Sequence, residues 1–462
     1  MDELAQVRIE LEQLKKKERD LGEELSRVRT AIAAHKSRIE HLAWAKAPIN
    51  TLPTEILSYV LELAVHSTVT LFEDELWISA RVSRTWRDII LDSPKFWSHI
   101  DLSCGCANMS LVKARVARSR QYPLDITIRF WGENAPLATL IDIIVPHVHR
   151  WRTLDMQENG RECSQLILDK INHLKFPSLA RASMRSRHTQ DMEYPPFLRP
   201  DNAPSLTSIC LDNLGPLDLP PLLSSQHLTT LALTYSGRPS LQTDSISLPF
   251  LTSLTLQAKY PRELLLAIVP SNLLYFHLTL VEPGNEQRTL FYGLKSKFRS
   301  VQHLRLHIED DFVSDIECAK SISSTFPNVR QVELRTAKAN DFFRLDSDDS
   351  RPVDYWGWLE SLTFHRMEIR TTSSIGDFVR WLRKRDSMLR IKFIHCVFSP
   401  ARHDGASDIS SPQSLQYFHN VLREICILEI VEVVVQATTI ISLTSASPPP
   451  LVCITIVAER VP

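Results

Sequence analysis

The stretch from residue 49 to residue 103 reads INTLPTEILSYVLELAVHSTVTLFEDELWISARVSRTWRDIILDSPKFWSHIDLS. Its apolar residues recur at helical spacing in three short blocks. The first starts near residue 54, the second covers about residues 73–82, and the third covers about residues 83–91. The stretch therefore predicts three short helices.

Local signals mark the ends of these helices. Leu52 and Pro53 precede the first helix, for which Thr54 or Thr51 is the expected N-cap, because a threonine hydroxyl can accept a hydrogen bond from a first-turn N–H. Pro94 should end the third helix, since proline has no N–H to continue it.

The second and third helices carry an apolar stripe, which consists of Ile78, Val82, Trp86, Ile89 and Ile90. A helical unit of about fifty residues is too small to bury so much apolar surface by itself. Apolar surface that stays exposed usually marks an interaction site. The stripe therefore predicts an interaction module.

The same stretch resembles the F-box family. The first half of the family pattern, Leu-Pro-x-Glu-Ile-Leu, is matched by Leu52, Pro53, Glu55, Ile56 and Leu57. The second half is a Val-Cys-x-x-Trp-Arg core followed by Pro-x-Leu-Trp and an apolar residue. It is matched by Val82, Ser83, Trp86, Arg87, Pro94, Phe96, Trp97 and Ile100. The chain departs from the pattern at Ser83 (usually Cys), at Phe96 (usually Leu) and in a longer stretch over residues 66–75.

The resemblance implies a three-helix module that docks onto the Skp1-type adaptor of a cullin–RING ubiquitin ligase. The contact residues that it implies by position are Leu52, Pro53, Ile56, Leu57, Val82 and Trp86. For Trp97 we expect a place in the core instead.

The first segment of the chain, residues 1–46, has apolar residues at alternating steps of three and four over nearly six heptads, a pattern that predicts a long coiled-coil helix. The twelve positions of this seam are Leu4, Val7, Leu11, Leu14, Glu18, Leu21, Leu25, Val28, Ile32, His35, Ile39 and Leu42. We expect a homodimer through residues 4–42. An antiparallel pair and packing on the helix's own domain stay open.

From residue 146 onward, a pattern of apolar-x-x-apolar-x-apolar recurs ten times, often after a proline. The copies begin at Trp151, Leu179, Leu206, Leu228, Leu251, Leu273, Val301, Val329, Leu359 and Met388. Their spacing of 22 to 30 residues is similar to that of leucine-rich repeats, in which each copy supplies one strand to a shared core. The Asn or Cys that usually follows the strand is mostly missing, so we expect irregular repeats.

These segments predict an α/β fold with four parts: a coiled-coil helix at 1–46, a three-helix F-box at 49–102, an irregular leucine-rich-repeat-like solenoid at 103–398, and a connector with a C-terminal segment of unclear structure at 399–462. The alternative for the third part is a mixed α/β domain of unrelated buried strands. Residues 337–354 should form an exposed acidic loop. The combination is similar to the expanded F-box families of mushroom-forming fungi.

Composition narrows the class of protein. The net charge of −1 and the pI near 7 argue against strong binding of nucleic acid or of a membrane surface. The charged N-terminus predicts no signal peptide, and residues 425–443 carry two carboxylates that disfavour a membrane span. Eight scattered cysteines are typical of a reduced protein. We therefore expect a cytoplasmic or nuclear location.

No compact catalytic or nucleotide-binding motif occurs in the sequence. Cys104 and Cys106 lack a second ligand pair at a zinc-site spacing, and His147 and His149 flank Val148 on what we expect to be an extended chain. We therefore expect no enzyme activity, no metal and no cofactor.

The sequence as a whole predicts an F-box adaptor. We expect it to be the substrate-recognition subunit of a Skp1–cullin–F-box E3 ubiquitin ligase, whose repeat domain binds an unknown protein target. The target would be contacted by exposed strand residues such as Thr207, Thr229, Thr252, Thr255, His303 and Arg305. One alternative is an F-box scaffold that binds a Skp1-type adaptor or other partners outside any ligase. Another is a coiled-coil interaction protein whose F-box has decayed.

Overall fold

The fold was analysed in a computed structural model. It describes residues 2–46, 48–67, 74–104, 108–129, 131, 135–157, 160–185, 195–214, 227–235, 237–280, 289–308, 316–335, 339–366, 368–370, 373–385, 388–399, 420–435 and 452–454. The chain divides into two compact units, Met1–Phe96 and Trp97–Pro462.

The first unit begins with one continuous helix, α1 (Asp2–Lys46), of 45 residues. Glu3 lies in its first turn, where negative charge interacts favourably with the helix dipole. At a rise of 1.5 Å per residue, α1 is on the order of 65 Å long. The prediction of a single long helix is confirmed.

Three short helices follow in the first unit, as the sequence predicted. They are α2 (Thr54–Ser67), α3 (Asp74–Val82) and α4 (Arg84–Asp92). The carbonyl oxygen of Pro53 accepts a hydrogen bond from the Leu57 N–H at 3.0 Å. Pro53 therefore occupies the N-cap position of α2, for which Thr54 or Thr51 was expected. Ser83 caps α4, because its hydroxyl accepts a hydrogen bond from the Trp86 N–H at 3.1 Å.

The second unit is built on a large parallel sheet. Within the described residues, fifteen strands belong to it, and two short ones, β7 and β9, pair separately. The strands are β1 (His99–Asp101), β2 (Leu124–Arg129), β3 (Trp151–Gln157), β4 (Arg181–Arg185), β5 (Ser208–Leu214), β6 (Thr230–Tyr235), β7 (Ile246–Ser247), β8 (Ser253–Ala258), β9 (Ile268–Val269), β10 (Tyr275–Leu280), β11 (His303–Ile308), β12 (Gln331–Arg335), β13 (Ser361–His365), β14 (Glu368–Arg370), β15 (Arg390–Ser399), β16 (Ile427–Val435) and β17 (Val452–Ile454).

Helices lie between several of these strands. They are α5 (Met109–Arg118), α6 (Ala135–Ile144), α7 (Arg161–Ile171), α8 (Arg262–Ala267), α9 (Ile316–Thr325) and α10 (Ser373–Arg383). Their apolar residues share one core cluster with one face of the sheet. Elsewhere short 3-10 turns make the crossover, as at Pro196–Leu198.

The strands follow one another in the sheet in chain order and run parallel, with two exceptions: β14 pairs with β15 off the main path, and β17 pairs antiparallel with β16. Equivalent residues face each other from strand to strand, so apolar side chains stack in unbroken rows. One row contains Ile126, Leu154, Ala182, Ile209, Leu231, Leu254, Phe276, Leu304, Val332, Leu362, Ile391 and Leu428. The predicted α/β class is confirmed, and all ten predicted copies lie on strands of this sheet.

Several details differ from the sequence predictions. Met388, the first residue of the tenth copy, is 65% exposed, whereas the adjacent Leu389 is 1% exposed and takes the buried place just before β15. The sheet continues past residue 399 with β16, where Ile425, Leu428 and Ile430 have the spacing of the repeat and Leu428 pairs in register with Ile391. Residues 400–419 of the predicted connector lie outside the described residues.

The exposed acidic loop predicted for residues 337–354 is found only in the middle of that segment, where Ser347, Asp348 and Asp349 are exposed. Phe342 and Phe343 are buried, and Phe342 stacks on Trp356 with ring centroids 5.3 Å apart. Arg351 is also buried, and its Nε donates to the Phe343 carbonyl oxygen at 3.0 Å. Aromatic residues within the acidic sequence therefore anchor this segment in the core.

No helix in the described part of the chain is both long enough and apolar enough to cross a membrane.

An aromatic cluster between α9 and the sheet supplies a test of the core. Phe326 lies 5.1 Å from Phe276, 5.6 Å from Phe298 and 5.8 Å from Phe291, measured between ring centroids. Phe326→Ala should lower the free energy of unfolding of the second unit by about 3–5 kcal/mol, because it leaves a cavity among these rings. Urea unfolding followed by circular dichroism measures the change.

Phe250→Ala is the matched control, since Phe250 is 55% exposed and its loss should cost less than about 0.5 kcal/mol. Equal effects of the two substitutions would contradict the assignment of Phe326 to the core.

Candidate partner-binding surfaces

Helix α2 carries apolar side chains on two sides. Leu57 and Leu61 are buried, together with Leu76 and Ala80 of α3 and Ile90 of α4. Together with Phe96, they form the small core of the first unit in its described part.

The outer side of α2 remains accessible. Ile56, Tyr59, Val60 and Leu63 are exposed, and their spacing of three, four and seven residues places them on one face of the helix. Ile56 is 49% exposed, whereas its neighbour Leu57 is 3% exposed, because one residue of helix turns the side chain by about 100°. We refer to Ile56, Tyr59, Val60 and Leu63 as the outer face of α2.

The six contact residues expected from the sequence fall into three groups. Leu52, Pro53, Ile56 and Val82 are exposed and accessible to a partner. Trp86 is half-buried, and the Ser83 cap fixes the helical turn from which it projects. Leu57 differs from the other five because it is 3% exposed and lies in the core of the helical unit.

Neighbouring groups support this surface. Lys95 Nζ lies 2.6 Å from Glu62 Oε2, and both side chains are partly buried, so this ion pair joins the turn after α4 to α2. The apolar stripe predicted from the sequence is divided: Ile78 and Val82 are exposed, whereas Ile90 is buried. Trp97 is fully buried, as expected, and the Arg118 guanidinium lies 4.5 Å from its ring centroid.

A second surface lies on the sheet. Alternate strand residues turn away from the core, and we call the face that they form on β10, β11, β12, β13 and β15 the open face. Its central row contains His277, Arg305, Glu333, Thr363 and Lys392. Of the residues that we expected from the sequence to contact a target, only His303 and Arg305 lie on this face.

A shallow depression of about 280 Å³ lies on this face. The Tyr275 and His303 rings stack at one end of it, with centroids 4.4 Å apart and planes 17° apart. His303 Nδ1 lies 3.1 Å from Gln331 Oε1. These groups give the depression a flat aromatic floor at one edge and hydrogen-bonding groups beside it.

Glu333 organises the other side of the depression. Its Oε1 lies 3.0 Å from Arg305 Nη2 and 2.6 Å from His365 Nε2. Burial lowers the pKa of His277 to about 4, and the charges of Arg305 and His307 act in the same direction. Burial likewise lowers the pKa of His365, although Glu333 opposes the shift.

Because the pKa values of His277 and His365 are lowered, the charge of the open face comes from side chains other than these two histidines. On the described residues of β11, β12, β13 and β15, it carries Arg305, Arg335, Arg390 and Lys392 against the single carboxylate of Glu333. An arrangement with this excess of positive charge favours an acidic partner.

Three other residues that we expected to contact a target have a structural role instead. Thr207, Thr229 and Thr252 are half-buried, and each hydroxyl donates to a carbonyl oxygen of the preceding strand segment at 3.0 to 3.1 Å. These bonds tie one repeat to the next at the start of the strands.

The residues considered for metal binding do not form a site. His147 and His149 lie in a 3-10 helix, Val145–Arg150, and not on an extended chain as expected. Cys104 is exposed, and Cys106 lies outside the described residues. The described residues contain no group of three or more His, Cys, Asp or Glu that could hold a metal ion.

Comparison with known proteins identifies the helical stretch. Residues 49–103 match the family model described as F-box-like. A search of the curated proteins found no match for the chain. The matched residues include α2, α3 and α4 and extend to β1. The protein therefore carries an F-box-like domain, and F-box domains are adaptor and interaction modules that suggest binding to Skp1.

Proposed function

We propose that this protein is a substrate-recognition adaptor of a Skp1–cullin–F-box ubiquitin ligase. The observation that carries the proposal is the exposed apolar surface on the F-box-like domain, formed by Leu52, Ile56 and Val82 together with the outer face of α2. A module that leaves this much apolar surface in water gains free energy when a partner covers it. The partner in the proposal is a Skp1-type adaptor, which in turn binds cullin.

The proposal gives the second unit the task of holding a target protein. Its sheet offers a rigid array of strands that we interpret as irregular leucine-rich repeats. In-register apolar rows and crossovers of variable length support this interpretation. We place the target on the open face, where the excess of arginine and lysine favours an acidic segment of the target. In this role the chain acts by proximity, since the ligase's other subunits supply the chemistry.

A second candidate function is that of an F-box scaffold. The described residues of the helical unit offer a surface to a Skp1-type adaptor, but they do not distinguish binding inside a ligase from binding outside one. An F-box scaffold would bind the Skp1-type adaptor outside any ligase. The two functions differ in one observable, which is whether cullin is found in the same complex.

Adaptor binding can be tested at the exposed contact residues. Leu52→Ala/Ile56→Ala/Val82→Ala should weaken binding of a purified Skp1-type adaptor at least tenfold, because burial of each side chain contributes about 1 kcal/mol or more. Isothermal titration calorimetry with the full chain measures the affinity. Circular dichroism should show an unchanged fold.

The matched control removes three exposed apolar side chains of the second unit. Phe250→Ala/Tyr292→Ala/Met388→Ala should leave adaptor affinity unchanged. Leu57→Ala should act differently from both, since it destabilises the helical unit by about 2–5 kcal/mol. Wild-type affinity in the first variant would refute the assigned contact surface. Adaptor binding without cullin in the complex would favour the scaffold.

The open face can be tested by charge reversal. Arg305→Glu/Arg335→Glu/Arg390→Glu should release the proteins that wild-type chain retains through its second unit, because an acidic segment would meet repulsion. Affinity purification with quantitative mass spectrometry compares the retained proteins.

Arg199→Glu/Arg299→Glu/Arg383→Glu is the control, since these exposed arginines lie outside the strands of the same unit. If both variants lose the same proteins, net charge and not the open face determines retention. If neither loses any, the target does not bind at this face.

A further inference from the structure

The seam of α1 is the largest apolar feature that the proposed function leaves without a role. Its apolar residues from Val7 to Leu42 that have a described side chain are 49% to 66% exposed. The alternative in which α1 packs on its own domain is therefore not what the structure has. A helix of this length with a continuous exposed apolar seam requires a partner helix.

The residues that flank the seam carry a charge pattern. With Leu4 and Leu11 at heptad position a, and Val7 and Leu14 at position d, the flanking positions are e and g. Position e holds Arg8, Lys15, Gly22, Arg29, Lys36 and Ala43. Position g holds Glu3, Glu10, Lys17, Glu24, Ala31 and Arg38. The charged side chains at e are thus basic throughout, and those at g are acidic in three of five cases.

In a parallel dimer without stagger, each g residue faces the e residue five positions later on the second helix. This places Glu3 against Arg8, Glu10 against Lys15, and Glu24 against Arg29. In the remaining pairs one member is uncharged. Each attractive pair occurs twice by symmetry, and no like charges meet.

An antiparallel dimer brings e against e and g against g. With the seams fully overlapped, Arg8 would face Lys36, Lys15 would face Arg29, and Glu24 would face its own copy. These contacts are repulsive, and the attraction of Glu10 to Arg38 does not offset them. The flanking charges therefore disfavour the antiparallel arrangement.

A stagger of one heptad between parallel helices is also disfavoured. It places Lys17 against Arg29 on one side of the dimer and Lys17 against Lys15 on the other. In the staggered dimer, Glu18 and His35 each face an apolar residue of the other helix, which places a polar residue at four levels of the seam. In the unstaggered dimer each faces its own copy, so only two levels contain a polar residue. A polar residue within a seam costs stability but selects the register.

We propose that α1 forms a parallel, unstaggered, two-stranded coiled coil with α1 of a second copy of this chain. The proposal does not depend on the F-box function, since it rests on the seam and its flanking charges alone. A dimer of this kind joins two F-box-like domains at the same end of the coil.

The first experiment tests the oligomeric state of the chain and the role of the charges at positions e and g. The full chain should have the mass of a dimer by light scattering. Arg8→Glu/Lys15→Glu/Arg29→Glu should convert it to a monomer, because three attractive pairs become repulsive. Adding Glu3→Lys/Glu10→Lys/Glu24→Lys to that variant restores opposite charges across the seam and should restore the dimer.

The matched control is Lys16→Glu/Arg19→Glu/Arg27→Glu, which makes the same change in net charge at positions away from the seam. This variant should remain a dimer. A wild-type monomer, a larger oligomer, or equal dissociation of both triple variants would overturn the proposal.

Orientation is tested by a disulfide. In the proposed dimer Val7 faces Val7 of the second copy, whereas in an antiparallel dimer it faces Ile39. Val7→Cys should therefore form an interchain disulfide between its own two copies on mild oxidation, identified by peptide mass spectrometry. Wild-type chain controls for its natural cysteines. In a mixture with Ile39→Cys, a disulfide that joins only residue 7 to residue 39 would overturn the parallel orientation. Disulfides that join only residue 7 to residue 7, or residue 39 to residue 39, would support the parallel orientation.

Discussion

Stacking of apolar side chains along rows of the parallel sheet is the interaction on which the second unit depends. Leu254 of β8, Phe276 of β10 and Leu304 of β11 occupy the same register position, and equivalent residues continue the row on either side. Neighbouring strands lie about 4.8 Å apart, so each side chain contacts the equivalent one on the next strand. Because each strand depends mainly on its neighbours, the crossovers can differ in length and in kind, as the helix α7 and the 3-10 turn at Pro196–Leu198 do.

The first unit follows a different constraint, which is its size. Its three short helices bury Leu57, Leu61 and Ile90, and few positions remain inside for the other apolar side chains. Such a unit leaves apolar residues in water until partners cover them. The outer face of α2 and the seam of α1 are two separate surfaces of this kind. Association can therefore occur at one without blocking the other.

Periodic features of the sequence predicted the structure well. The heptads gave the length of α1, the family pattern placed α2 to α4, and the apolar triplets fell on ten strands in register. Features that depend on contacts between distant residues were missed. Ile56 and Leu57 are equally apolar, and only the position of α3 and α4 decides which one is buried. The threonines before β5, β6 and β8 are polar, but their hydroxyls are used by the neighbouring strand.

Three features had a visible signal in the sequence that was not used. Residues 339–355 contain Phe342 and Phe343 among acidic residues, and the aromatic pair outweighs the acidic composition. β16 is rich in valine and isoleucine, as strands are, and Ile425, Leu428 and Ile430 have the spacing of the repeat, yet the segment was passed over. Ser83 was treated as a departure from a family pattern, whereas serine is among the best N-cap residues.

The alternation of core and open-face residues along each strand separates two kinds of substitution. Leu304 and Leu306 hold β11 in the sheet, while Arg305 between them faces away from the core. Exchange of such outward residues changes the chemistry of the surface at little cost in folding free energy, because the buried rows stay intact. The same scaffold can therefore acquire a new binding preference through a few substitutions, without any rearrangement of its backbone.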